Sequence, residues 1–403
     1  MTRYLSRTLL LLALFFGAAL PGLAAYTGAY IALVLSAVAL VLFAWPERQT
    51  FSHPTARAIL LALALVSATL PFVYQGEADL MAPVFILPML VSVALGLLAR
   101  PLGWMPSASV MATICLIAAL VAVVAGAYES VVLGVRRVGL GNNPIHYGSL
   151  ATMVGGMALV GVVAAPSRWR YVFLLGPIFG IGAAILSGSR GPLVGALALA
   201  GMGTLFLVYW YRADKLMRVA LLIAIMVGAA IVAYLLATGN ARLMRIVSTA
   251  TNIFQFTGGT DDIRAALYGS ALHVLKTSPF VGVGFGQIMQ AAQELFPQQR
   301  HVFGLENLHA DWANFAAMAG GMGLLAWLLL LAAPLLLLID KTARHDRPIV
   351  LGAVLLVTGQ ATLGVSNAMF GVLPQTVMYA VLLGYLFARA RRLAMPEQAA
   401  SDA

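Results

Sequence analysis

Charge is scarce in this chain. Only 9% of its 403 residues are charged while 62% are hydrophobic, which excludes an ordinary water-soluble core. Cysteine is almost missing: Cys115 stands alone within an apolar stretch, so no intramolecular disulfide and no cysteine-based metal site can form. Stretches of about ten residues with alternating polarity are absent too, which excludes a membrane β-barrel. Polar stretches of any length are likewise lacking, with one exception at 239–310.

What fills the sequence instead is a series of apolar windows long enough to cross a bilayer, about 20 residues each. In lipid every backbone polar group must be satisfied within its own element, so unbroken Leu/Ala/Val windows read as helices. The expected fold class is therefore all-α, a polytopic membrane protein of about twelve spans: 8–24, 26–45, 57–75, 80–99, 108–128, 144–165, 170–187, 191–211, 218–238, 311–339, 349–367 and 372–388. The organisation expected is helices one to nine over 1–238, a helical periplasmic loop over 239–310 forming lid and active site, helices ten to twelve over 311–392, and a cytoplasmic tail over 393–403. Arg3 and Arg7 before an apolar run ending at Leu23-Ala24-Ala25 resemble a signal peptide, but a second span follows at once, so the first helix is expected to be retained.

Net charge is +10, and its distribution carries the meaning. With both termini placed in the cytoplasm, sixteen of the 24 basic residues and six of the 14 acidic ones fall inside, leaving the outer face neutral. That asymmetry is the positive-inside pattern, and it argues against a nucleic-acid partner. Outer basic residues are few: Arg136 and Arg137 before the sixth span, Arg190 between the seventh and eighth, and Arg242, Arg245, Arg264, Lys276 and Arg300 in the long loop.

The loop has its own pattern. Apolar residues at helical spacing across 240–256 suggest an interfacial helix; Thr260 then caps a second helix whose first turn holds Asp261 and Asp262, which complement the dipole. Ser278-Pro279 stops that helix, Gly282 to Gly286 read as a flexible hinge, and a short helix follows near 287–295.

Three places could carry chemistry. In Ser187-Gly188-Ser189-Arg190-Gly191-Pro192 a guanidinium stands at the membrane edge, either a functional group or a snorkelling arginine. Arg264 is either a surface ion pair with Asp261 and Asp262 or a phosphate clamp, since its fork binds two oxygens at once. His309, where a polar loop enters an apolar span, is the histidine best placed for a general base; His146, His273 and His301 are the other outer candidates. Glu77-Ala78-Asp79 reads as a solvated turn, and the outer carboxylates show no metal-ligand spacing, so no metal or other cofactor is expected.

Ser187-x-Ser189-Arg190-Gly191, then Arg264 followed by Thr277 to Gly286, then His309 leading into Ala319-Gly320-Gly321-Met322-Gly323-Leu324-Leu325 resemble the O-antigen ligase and polymerase superfamily from about residue 140 to 330. One departure is Ala310, where many members have Asn, which puts the contacts beside the histidine in question. The resemblance implies a metal-independent, inverting transfer of O-antigen polysaccharide from undecaprenyl pyrophosphate to the lipid A core, on the periplasmic side of a bacterial inner membrane. It implies that Arg190 and Arg264 hold the pyrophosphate and His309 activates the acceptor hydroxyl. Arg136 and Arg137 are secondary candidates for anionic substrate groups, interfacial anchoring being the equal alternative. An O-antigen polymerase is the nearest alternative, then a protein O-glycosylating transferase. A lipid-linked glycan flippase or transporter is the alternative of a different class, disfavoured because mid-span charges are nearly absent.

Overall fold

The structure is a computed structural model that describes residues 2–99, 105–165, 167–238, 260–297 and 304–395. Among these the ordered elements are helices, with no strand. They are α1 (Thr2–Ala18), α2 (Ala24–Phe43), α3 (Pro54–Val73), α4 (Met81–Ile86), α5 (Leu90–Leu97), α6 (Ala108–Val131), α7 (Pro144–Met157), α8 (Val160–Ala164), α9 (Leu175–Ser187), α10 (Arg190–Trp210), α11 (Lys215–Ala237), α12 (Thr260–Thr277), α13 (Ile288–Leu295), α14 (Asp311–Ala332), α15 (Arg347–Gly364) and α16 (Leu373–Leu393). Nine helical stretches among the described residues are long and apolar enough to cross a membrane. The protein is thus an all-helical, polytopic membrane bundle.

Two helices form its centre. Nearly every residue of α7 and α16 is buried, the signature of a helix surrounded by other helices. Around them the outer helices turn large apolar side chains such as Val34, Val124, Leu205 and Met226 outward, as lipid contact requires. Helix α7 approaches α9 backbone to backbone: a side chain added at Gly155 would run into Gly180 and the carbonyl of Gly176. Small residues permit this approach, and close packing is what holds helices together where lipid is as apolar as leucine.

Several expected spans differ in their bounds. The first helix begins at Thr2 and ends at Ala18, because Pro21-Gly22 makes a turn whose next residue donates, Leu23 N–H to the Leu140 carbonyl, at 3.1 Å. The span expected over 80–99 is a chain of short pieces, broken by a 3-10 turn at Leu87–Met89, since Pro88 has no N–H to continue a helix. The span expected over 311–339 ends at Ala332 and is interrupted inside by Ala319 and Gly320, the latter at φ +58°.

That interruption corrects the expectation of a hinge at Gly282 to Gly286. Val283 N–H donates to the Ala317 carbonyl at 2.9 Å and Gly284 N–H to Met318 at 3.2 Å; in return Gly321 N–H reaches Pro279 at 2.7 Å and Met322 N–H reaches Phe280 at 3.2 Å. The glycine segment is a brace plugged into broken α14, not a free hinge. It needs glycine because Gly282 has φ +69° and a Cβ there would strike the Ala317 carbonyl. Asp79 finishes the brace: fully buried, it accepts Gly286 N–H at 2.8 Å and Gln75 N–H at 2.8 Å. Of the Glu77-Ala78-Asp79 stretch expected to be a solvated turn, Glu77 and Ala78 are exposed but Asp79 is not.

Candidate active site

The α9–α10 turn is built by its small residues. Gly188 takes a left-handed conformation, φ +61°, and ends α9, while Ser187 Oγ donates to the Ala184 carbonyl and accepts Ser189 N–H at 3.1 Å. Ser189 is the N-cap of α10 yet makes no side-chain cap to it, so the first N–H groups of a 21-residue helix remain directed outward, a ready anion site. Gly148 of α7 wedges against Ser187 and Pro192 and fixes the turn from below.

Arg137 comes to this turn from the preceding loop. Glu129 accepts Gly139 N–H at 3.2 Å and Leu140 N–H at 2.8 Å, and Val138 N–H donates to Leu186 at 3.2 Å, which folds that loop onto α9. Arg137 Nη2 then donates to Ser189 Oγ at 3.1 Å. Arg264 arrives from the opposite side on α12. Four residues after it, Tyr268 OH donates to the Val365 carbonyl at 2.9 Å and the ring lies 5.4 Å from that of Trp312, so α12 is pinned to α14 and to the end of α15.

The result is a cavity of about 190 Å³ lined by Arg137, Arg190, Arg264, Ser366 and the backbone around Gly188 to Pro192. Among its described lining residues there are three arginines and no carboxylate. Arg190 and Arg264 therefore meet across one space, as does Arg137; Arg136 is exposed and does not line it. Ser366 Oγ, enclosed and without a partner, faces Gly191. Nothing in the sequence marked Ser366, whose only signal is its place in a polar pair, Ser366-Asn367, between two apolar helices.

His309 lies beside the cavity and does not line it. The ring is half-buried, and burial first and the Arg264 charge second hold its pKa below the usual imidazole value. Its backbone is left-handed at φ +53°, a conformation that costs a non-glycine residue and is held by surrounding bonds. Asn307 accepts His309 N–H at 2.9 Å and Asn314 accepts Leu308 N–H at 2.9 Å. Asp311, fully buried, accepts Met369 N–H at 2.7 Å and Phe370 N–H at 2.9 Å. Asn307 and Asn314 fix the histidine's turn locally, and Asp311 ties it to the loop between the last two helices. The partner of Asp311 lies 58 residues on and could not be read from the sequence.

His146, third in α7, is close enough to His309 for their charges to interact. His273 is exposed on α12. Arg242, Arg245, Arg300, His301 and the expected interfacial helix over 240–256 lie outside the described residues, as do the side chains of Asp261 and Asp262. No three of His, Cys, Asp and Glu come together among the described residues in a way that would hold a metal.

With this geometry in place, the comparison with protein families is direct. Residues 175–328 match the O-antigen ligase family. The matched stretch begins at α9, ends within α14 and carries Arg190, Arg264 and His309. Over this stretch the chain is similar to that family. A comparison with the curated proteins finds no match.

Proposed function

We propose that this protein is an O-antigen ligase, moving O-antigen polysaccharide from undecaprenyl pyrophosphate to a hydroxyl of the lipid A core at the periplasmic face of a bacterial inner membrane. The observation that carries the reading is the convergence of Arg190, Arg264 and Arg137 on one cavity at the N-terminus of α10, with His309 next to Arg264. Positive charge stands where a pyrophosphate leaving group develops negative charge, and a neutral imidazole stands beside it.

In this reaction the acceptor oxygen attacks the anomeric carbon of the donor sugar. Its proton passes to His309, the bond from that carbon to the phosphate oxygen breaks, and undecaprenyl pyrophosphate leaves with the electron pair. One displacement inverts the anomeric centre. Burial and the Arg264 charge favour the unprotonated His309 ring, which is the form a base needs. Arginine forks and helix N–H groups supply the charge stabilisation, so the reading is of a metal-independent enzyme, and it predicts activity undiminished by a strong chelator.

The test is reconstitution. Purified protein with undecaprenyl pyrophosphate-linked glycan and lipid A core should form a glycan–lipid A bond, inverted at the donor carbon. Elongation of the carrier-linked glycan with the core left unmodified would assign polymerase activity, and movement of donor across a bilayer without bond formation would assign transport.

A further inference from the structure

The first turn of α7 lines the arginine cavity at Ile145 and brings His146 near His309, and the reaction above leaves it without a task. Asn143 caps this turn, accepting Ile145 N–H at 2.9 Å, and Pro144 opens the helix. Ile145 lines the cavity with the three arginines. Tyr147 donates its OH to the buried Ala122 carbonyl at 2.8 Å, and Gly148 abuts Ser187 and Pro192. Between these fixed points stands His146, half-buried, within electrostatic reach of His309. Its Nδ1 is enclosed and has no hydrogen-bond partner.

That enclosed nitrogen decides what the ring can do. An enclosed N–H with no acceptor costs more than an enclosed lone pair with no donor. A charged imidazole would carry a proton on both nitrogens and so would leave an unpaired N–H on Nδ1. The favoured form is the uncharged ring with its proton on Nε2. Such a ring is a hydrogen-bond donor and not a base, the complement of His309, which needs a free lone pair.

We propose that His146 is a second imidazole of the active site, donating from Nε2 to an oxygen of the acceptor sugar and so setting the attacking hydroxyl against His309. This rests on the glycosyl-transfer reading above. Ile145, the residue before His146, lines the arginine cavity while His146 itself lies within reach of His309, so this turn stands where the donor's and the acceptor's contacts adjoin.

Side-chain amides provide the test, because glutamine can present an N–H near the position of Nε2 while asparagine is too short to do so. With full-length protein, undecaprenyl pyrophosphate-linked glycan and lipid A core, His146→Ala and His146→Asn should raise the acceptor KM roughly tenfold, as loss of one hydrogen bond does, with the donor KM unchanged. His146→Gln should stay within a few-fold of wild type. Equal loss in all three variants would make the histidine a packing residue, and an unchanged acceptor KM in His146→Ala, or an equal rise for the donor, would also overturn the assignment. The two readings fail separately. Wild-type protein that transfers nothing removes glycosyl transfer and this role with it, whereas an active wild type, an inactive His309 variant and an unaffected His146→Ala remove only the role of His146.

Discussion

The bundle's two ends use arginine in opposite ways. At one end Arg389 Nη2 meets Asp346 at 2.7 Å, Arg170 Nη2 meets Asp214 at 2.7 Å, and His53 Nε2 lies 3.1 Å from Asp340. There each arginine is matched to a carboxylate from another helix or loop, the histidine lies against a third, and the contacts tie elements together. At the other end Arg137, Arg190 and Arg264 gather around a cavity whose described lining holds no carboxylate. Like charges drawn together around a space, against a helix N-terminus, repel one another unless an anion joins them. One end uses its arginines to tie elements together; under the proposed function the other directs them at the donor's pyrophosphate.

The largest expected effect lies at the ligand end. His309→Asn should lower turnover about 10²–10⁴-fold, the range that general-base catalysis supplies, while the protein remains folded. Asparagine is the informative substitution, because it tolerates the left-handed backbone at this position. Transfer assays paired with a thermal-unfolding curve separate the two readouts, and retained activity would remove the base.

Arginine-to-lysine exchanges at both ends sharpen the contrast. Arg190→Lys or Arg264→Lys replaces a two-pronged fork by a point charge, and kcat/KM for the donor should fall roughly 10–100-fold, the scale of one lost charge-assisted hydrogen bond. Arg389→Lys removes the same fork from Asp346, where both the Nε and Nη2 contacts are made. It should lower the unfolding temperature and leave transfer near wild type. If Arg190→Lys behaved like Arg389→Lys, the two ends would not differ in purpose.

A smaller effect is expected from pH. Below its pKa His309 already carries a proton and cannot accept another, so activity falls as pH drops through that value. Burial and the Arg264 charge hold the value down, which places the acidic limb of kcat/KM below the ordinary imidazole pKa of about 6.5. Arg264→Gln removes one of the two causes, and the residual activity should show that limb moved upward. A limb that stayed in place would mean that Arg264 does not act on this imidazole.

Much of this was legible in the sequence because membrane constraints are severe. Apolar length forced helices, and helices α12 and α13 could be placed from Thr260, Ser278-Pro279 and the apolar spacing after Gly286. Arg190 stood out because arginine is costly near lipid and so demands a reason, and Arg264 because its fork suits a phosphate. What could not be read were contacts whose partners lie far along the chain. Asp79 appears solvated until Gly286 is seen 2.8 Å away, 207 residues later. Gly282 to Gly286 look flexible until the break in α14 at Gly320 supplies their hydrogen-bond partners. Span limits drifted for a local reason: hydropathy counts apolar residues and takes no account of Pro21 or Pro88, which end or break a helix whatever surrounds them.

The smallest expected effect separates two neighbours that composition cannot tell apart. Arg136 and Arg137 are both exposed, but only Arg137 reaches Ser189, at 3.1 Å, and lines the cavity. An exposed guanidinium is well hydrated and contributes modestly, so Arg137→Ala should reduce kcat/KM for the donor only a few-fold, and raised salt should narrow the gap by screening the wild type. Arg136→Ala should match wild type in the same assay. If both variants lost activity equally, the pair would be acting through the net charge of its loop and not through the cavity, and the division between structural and ligand-holding arginines would have to be drawn by loop instead of by contact.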